Sequence, residues 1–314
     1  MATAIDSFLH DQGFITRPQV LSLGWDDEAI RLLLRSKRLI WIGPGLYAAP
    51  EYQQLDDEAK HLVRCRAVAT RFTGRAVFSH QTAVLLHDIA LWGVDLDDVH
   101  VTRVDGGRAR HHAHVAHHAG FLPADQITVV DGLEVVDAAR SVWDLATTAS
   151  LESAVVTADS ALNRGITDRG ALMSLAPELT DWRGSRRAKA ALSLADGRAE
   201  SPGESRLRLL MRLNGLPKPE PQHPIFDEDG VLIGVTDLAL PAFRHVIEFD
   251  GLVKYGSAAD LAKEKAREDA IRRQGWGVTR VIWTQLRPQQ RGALVRELWR
   301  AVEESLQLYG HRVA

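Results

Sequence analysis

The sequence predicts a multidomain α/β protein with a winged helix-turn-helix at its front, and three observations carry that expectation. The first is length: 314 residues make two or three units at roughly 100–200 residues each, every one able to bury a core. The second is the order at the front, where three short helical patterns precede two strand-like runs. The third is the order after Ser201, which reads helix, three strands, charged helix, strand and helix. The boundaries expected are 1–60 for the winged helix, 61–182 for a mixed α+β middle domain, 183–200 for a basic linker and 201–314 for a last α/β domain.

At the front, Ala4 to Gln12 reads as the first helix. Thr16 is a good N-cap with Pro18 in the first turn, and that second helix ends at Gly24. The third opens at Asp26-Asp27, sets Ile30, Leu33 and Leu34 on one face and ends near Arg38. Leu39-Ile40-Trp41-Ile42 and Leu46-Tyr47-Ala48 are then strand-like, split by Gly43-Pro44-Gly45. In a helix-turn-helix the second of its helices enters the major groove. Arg31, Arg35, Lys37 and Arg38 cluster along that helix and its exit, where they can neutralise phosphates or read guanine. Asp26, Asp27 and Glu28 work against this at the end that meets the bases.

The middle reads as helix from His61 to Phe72 and again after Ser79, its N-cap, through Leu86. Short strands are expected at Val99–Val104, His112–His117 and Leu133–Val136, with helices near Ala138–Thr147 and Leu151–Asn163. Five histidines crowd between His111 and His118. On one strand His112 and His114 would share a face and could hold a transition metal, but no cysteine or carboxylate lies within the run to complete a site. Exposed histidines on an edge strand are the plainer expectation. Ser79-His80 suggests no catalytic triad.

Composition narrows the classes. The chain is 45% hydrophobic and 25% charged with a formal net charge of -3, so nucleic-acid binding would need a local positive face. Basic residues from Arg183 to Lys189, with Arg206, Arg208 and Arg212, offer one such stripe; a solvated linker and helix face explains them equally well. The sole cysteine, Cys65, excludes an internal disulfide and a Cys-based zinc site, and fits a reducing compartment. Met1 to His10 lacks a secretory pattern and no run of ~18 apolar residues occurs, so a cytoplasmic protein without a membrane partner is expected.

The last domain holds the most informative residues. Ser201-Pro202-Gly203-Glu204 starts a helix as a capping box. If Pro241-Ala242-Phe243-Arg244 turns a hairpin symmetrically, Asp237 lies opposite Glu248, with Cβ atoms ~4.5–5.5 Å apart. Asp250, two residues on, shares the face. Such carboxylates repel, and their neighbours Val235, Leu238, Val246 and Ile247 are apolar. Mg²⁺ (or Mn²⁺) would convert the repulsion into ligation by Asp237, Glu248 and Asp250. Such a metal stabilises charge on a phosphoryl oxygen and activates a water. Glu204 could add an outer ligand or a base, although its capping role explains it as well.

Glu204, Thr236-Asp237-Leu238 and Ile247-Glu248-Phe249-Asp250-Gly251 together resemble the PD-(D/E)XK nuclease superfamily, nearest to domains related to very-short-patch-repair (Vsr) endonucleases. Lys254-Tyr255, the segment Glu264 to Asp269 and the strand Gly275 to Val281 fit the same pattern. The resemblance covers roughly 195–314 and implies a restriction-endonuclease-like α/β core, metal dependence and hydrolysis of DNA phosphodiesters. The usual E-x-K becomes Glu248-Phe249-Asp250, so the catalytic lysine is missing from its place. Lys254 or Lys263 is a candidate replacement, with a solvated surface lysine the plainer reading for each. Gly13 to Pro50 resembles the N-terminal domain of AbiEi-type antitoxins from type IV toxin–antitoxin systems, which implies operator binding and repression. Phe78 to Ala83 and Asp144-Leu145-Ala146 are similar to the domain that follows in those antitoxins.

Two functions are therefore expected, a DNA-targeting protein with a metal-dependent endonuclease domain and a non-catalytic antitoxin-like repressor. DNA is the partner of both; a cognate toxin or a second copy of the chain would be a further one. A structural protein that binds no nucleic acid is the weaker third.

Overall fold

A computed structural model describes residues 2–72, 74–251 and 258–309. The chain forms two compact units, Met1–Ser153 with Ile166–Ala188, and Ala154–Gly165 with Lys189–Ala314.

The first unit opens with α1 (Ala2–Gln12), β1 (Phe14–Thr16), α2 (Arg17–Ser22), α3 (Asp27–Arg35), β2 (Ile40–Gly43) and β3 (Leu46–Ala48). Its strands pair antiparallel in the order β1-β3-β2, which is the winged-helix arrangement. Thr16 caps α2 reciprocally with Gln19: Thr16 Oγ1 accepts from the Gln19 N–H at 3.3 Å, and Thr16 N–H donates to Gln19 Oε1 at 2.8 Å. Asp26 caps α3, accepting from the Ala29 N–H at 2.8 Å. Ile15, Val20, Ile30, Leu33 and Leu39 close a core under these helices. The strand β1 was not expected; three residues between Gly13 and a helix cap are too few to show a period.

The unit continues with α4 (Asp57–Phe72), β4 (Ala76–Phe78), α5 (His80–Leu86), β5 (Val99–Arg103), β6 (Arg110–His112), β7 (Val115–Ala119), β8 (Ile127–Val130), β9 (Leu133–Val136) and α6 (Ala138–Thr148). A six-stranded sheet runs β6-β7-β5-β4-β9-β8. Phe14, Ile42 and Leu46 share one core with Val68, Phe78, Val99 and Val135, so wing and middle segment fold together. The expected strand from His112 to His117 is instead a hairpin. Ala113 and His114 adopt φ of 55° and 59° and reverse the chain, so His112 and His114 share no strand face.

Next come α7 (Leu151–Asn163), α8 (Arg169–Glu178) and α9 (Ser185–Leu194). The stretch expected as a basic linker thus holds a ten-residue helix whose Ala188, Ala191 and Leu192 are buried. Just before it Gly184 stands at φ 92°, where a Cβ would lie 2.2 Å from the Thr147 carbonyl oxygen. Only glycine fits there.

The second unit adds α10 (Pro202–Leu213), β10 (Glu220–Phe226), β11 (Leu232–Leu240), β12 (His245–Asp250), α11 (Ala258–Arg273), β13 (Gly277–Ile282) and α12 (Pro288–Tyr309). β10, β11 and β12 form an antiparallel meander, and β13 returns parallel to β12. The period of two sorts the sheet's faces. Leu238, Leu240, Ile247 and Val281 meet Leu207 and Met211 of α10 and Leu298 of α12. Ala239, Val246 and Val278 meet Ile271 of α11 on the other side. Among the described residues no helix is long and apolar enough to cross a membrane.

Candidate functional site

The α11 face of the four-stranded sheet in the second unit carries the charges. Leu238 pairs with Ile247 and Ala239 with Val246, the register expected from a symmetric turn. Pro241–Phe243 forms the turn as a single 3-10 helix, with Arg244 left-handed at φ 51°. Asp237 and Glu248 therefore come to one cleft of about 270 Å³, lined also by Asp250, Glu264, Arg267 and Arg280.

Each acid is held differently. Asp237 Oδ2 accepts from the Phe249 N–H at 2.7 Å. Burial lifts the Asp237 carboxyl to about 6; the Phe249 bond opposes that rise and the Glu204 charge adds to it. Glu248 Oε1 accepts from Arg267 at 2.6 Å, and Glu248 Oε2 stands 3.8 Å from Arg280. Burial raises the Glu248 carboxyl, Arg267 pulls it down and Asp237 adds a smaller rise. Arg267 also reaches Glu264 at 2.9 Å, and Arg280 reaches Glu264 at 2.7 Å and Glu268 at 3.0 Å. The repulsion read from the sequence is thus largely met by two guanidiniums. Neither was singled out beforehand, because the parallel register of Glu248 with Arg280 spans a whole helix of chain.

Glu204 is 6% exposed, near enough for its charge to act on Asp237. Ser201 Oγ accepts from the Glu204 N–H at 3.2 Å, the expected half of the capping box. The reciprocal half is absent: Glu204 Oε2 accepts instead from the Glu200 N–H at 3.0 Å and from Gln222 Nε2 at 3.3 Å. Capping therefore does not account for that carboxylate. Lys254 lies outside the described residues, and Lys263 is exposed on α11. Among the described residues Asp237, Glu248 and Asp250 do not bring ligand oxygens within 4.8 Å of one another.

The expected basic stripe does not form one surface. Arg206 and Arg208 are buried, Arg206 donating to the Leu286 carbonyl at 2.9 Å and Arg208 to Asp159 at 2.7 Å. Their guanidiniums serve the interior of the second unit.

On the winged helix, Arg31, Arg35, Lys37 and Arg38 are all exposed. Arg31 is tied to Glu28 beside it, and Arg38 stands 3.6 Å from Asp6. Arg17 holds Asp27 with two bonds of 2.8 and 2.7 Å. Asp27 and Glu28 at the start of α3 are thereby paired within the domain.

Comparison with known families finds a match at this front. Residues 4–50 match the family AbiEi_4, described as transcriptional regulator, AbiEi antitoxin. The front of the chain is similar to that regulator domain. Two curated relatives share sequence with the chain, the uncharacterized proteins MT2308 and Rv2248 of Mycobacterium tuberculosis, strains CDC 1551 / Oshkosh and ATCC 25618 / H37Rv. Each is 31% identical over 152 residues, 48% of this chain and 55% of the relative. The chain spans about half the length of the curated relatives it matches. The crystal structure of the RV2827C protein from M. tuberculosis gives a TM-score of 0.42 at 13% identity, covering 74% of this chain and 90% of that one. That likeness is too loose to carry an argument. The antitoxin-type match supports a DNA-binding regulator; it does not extend to the carboxylate cleft.

Proposed function

We propose that the protein is a DNA-binding transcriptional repressor of the antitoxin type, docking through α3 and its exit. One observation carries the reading. Arg35, Lys37 and Arg38 stand exposed at the end of a capped helix inside the segment that matches regulator domains. Meanwhile Asp27 and Glu28, two of the three acids at the helix start, are paired with Arg17 and Arg31. Cations at the α3 exit bind phosphates and set the register, and the exposed face of α3 meets base edges. A cognate toxin or a second copy of the chain is the further partner this reading admits. Footprinting of the full chain on the DNA upstream of its own gene tests it: a protected operator supports the reading, and no protection at any site contradicts it.

A second reading is favoured by Asp237, a carboxyl raised to about 6 in an open cleft with Glu248 and Asp250. Here the last domain is a Vsr-like, PD-(D/E)XK-type endodeoxyribonuclease, with Asp237, Glu248 and Asp250 holding the metal. Bound Mg²⁺ (or Mn²⁺) would supply charge stabilisation at a phosphoryl oxygen and a more acidic water. Arg267 has a second acceptor in Glu264, which leaves Glu248 able to turn toward a cation. Arg267 and Arg280 add fixed positive charge where the motif lacks its lysine; as guanidiniums they stabilise phosphate but cannot take a proton. Glu204 would orient the site through Asp237. Plasmid cleavage with Mg²⁺ or Mn²⁺ tests this: wild type must cut and Asp237→Ala must not.

A further inference from the structure

Three histidines from three elements meet inside the first unit. His80 opens α5, His100 lies on β5 and His118 on β7, the parallel neighbour of β5. His100 and His118 are on the same sheet face, because Thr102 pairs with His118 and stands two residues from His100. His100 Nδ1 is 2.9 Å from His118 Nε2, and the His80 and His118 rings stack with centroids 3.6 Å apart. One ring nitrogen from each of the three lies within 4.8 Å of the others.

The backbone and the hydrogen bonds around them are arranged at local cost. His80 adopts φ 54°, a left-handed conformation uncommon for residues other than glycine. Ser79 occupies the N-cap of α5, but its side chain makes no capping bond. Its oxygen instead accepts from Thr102 Oγ1 at 2.9 Å and lies 3.0 Å from His80 Nδ1. The expected helix cap is thus given over to orienting a ring, with His80 Nε2 left as the ligand atom. Gln81 holds the outer nitrogen of His100 at 2.7 Å. Ligand histidines are commonly oriented in this way by a bond to the other ring nitrogen.

We propose that His80, His100 and His118 form a three-imidazole site for a borderline divalent transition ion, Zn²⁺ by preference, with water in the remaining position. Imidazoles suit Zn²⁺, whereas Mg²⁺ and Ca²⁺ take oxygen ligands. Tetrahedral bonds of about 2.0–2.1 Å would set the nitrogens about 3.3 Å apart, so the His100–His118 contact opens slightly and the stacked His80 and His118 rings turn until both in-plane lone pairs meet the ion. The proton shared by those two rings moves to the outer nitrogen of the ring that held it. For His100 that atom faces Gln81, whose amide gives up its 3.2 Å bond to the Asp95 carbonyl and flips to present an oxygen to receive it. No ring changes its charge.

The full chain, without a polyhistidine tag and stripped with a chelator, is titrated with Co²⁺ and then Zn²⁺. The expected result is one equivalent of Co²⁺ with the intense visible bands of a tetrahedral ion, displaced by Zn²⁺. His80→Ala, His100→Ala and His118→Ala should each weaken binding by at least about 100-fold, and Ser79→Ala by about 10-fold. His111→Ala and His112→Ala, on the exposed hairpin, should leave it unchanged. The wild-type spectrum needs no variant to fold: stoichiometric binding that fails to appear, or a weak octahedral spectrum from oxygen ligands, overturns the proposal. So does binding that survives loss of the three rings or disappears with His111 or His112.

Discussion

Arg267 on α11 donates to Glu248 on β12 across 2.6 Å, with side chains only 27% and 10% exposed. The pair joins the helix to the one strand that borders both β11 and β13. Removing the guanidinium strands a buried carboxylate, and Arg280 at 3.8 Å replaces it only in part. Arg267→Met should therefore lower the stability of the second unit by about 2 kcal/mol, read from the urea midpoint of that unit or from faster amide exchange along β12. An unchanged midpoint would mean that Arg280 carries the interaction alone.

Asp237 behaves in the opposite sense. Its folded value of about 6 lies above the ordinary 3.8, so between about pH 4 and 6 the folded chain keeps a proton that the unfolded chain has lost. Stability from this group falls as pH rises through that window. Asp237→Asn keeps an acceptor for the Phe249 N–H without the buried charge. It should stabilise the unit at pH 7 by about 1–3 kcal/mol and flatten the pH dependence between 4 and 6. Destabilisation at pH 7 would show that the ionised carboxylate is well solvated or paired.

His245 supplies a contribution of the other sign. It lies at 2.8 Å from Ser305 Oγ and 3.0 Å from Thr279 Oγ1, and burial brings it down to about 4. The unfolded chain binds a proton here below its ordinary 6.5 while the folded chain does not, so stability is lost as pH falls from about 6.5 to 4. His245→Gln should remove about one proton from the slope of stability against pH in that window. A slope identical to wild type would place the acid sensitivity elsewhere. The same bonds explain Gly277, where a Cβ would lie 2.0 Å from Ser305 Oγ and 2.6 Å from His245 Nδ1.

Much of this architecture was legible because it rests on local signals. Thr16 with Pro18, Asp26 and Ser201 with Pro202 mark helix starts that the structure keeps, and the turn at Pro241 gave the right register for Leu238 and Ile247. What failed to show depends on contacts distant in sequence or on turns without their usual residues. Ala113-His114 reverses the chain with no glycine or asparagine, so its hairpin read as one strand. Asp131-Gly132 is an ordinary hairpin signal, and it joins β8 to β9. Arg267 and Arg280 meet Glu248 only because α11 folds back over β12 and β13, and His80, His100 and His118 meet only because β5 and β7 pair in parallel. A run of histidines drew notice for the wrong partners: of that run only His118 joins the cluster.

Charge neutralisation at α3 gives a prediction of its own. Glu28 occupies the Arg31 guanidinium on the face offered to DNA. Glu28→Gln should free it, tightening DNA binding several-fold and steepening the salt dependence by about one released ion. Equal or weaker binding would place Arg31 away from the phosphates.

The central claim is that the antitoxin-type domain holds DNA through the exit of α3. Fluorescence anisotropy of the full chain on its upstream DNA, at several salt concentrations, tests it most directly. Arg35→Ala and Arg38→Ala should each weaken binding and reduce the slope of log affinity against log salt by about one. Wild-type affinity and slope in both variants, or no binding by the wild-type chain, would contradict the account.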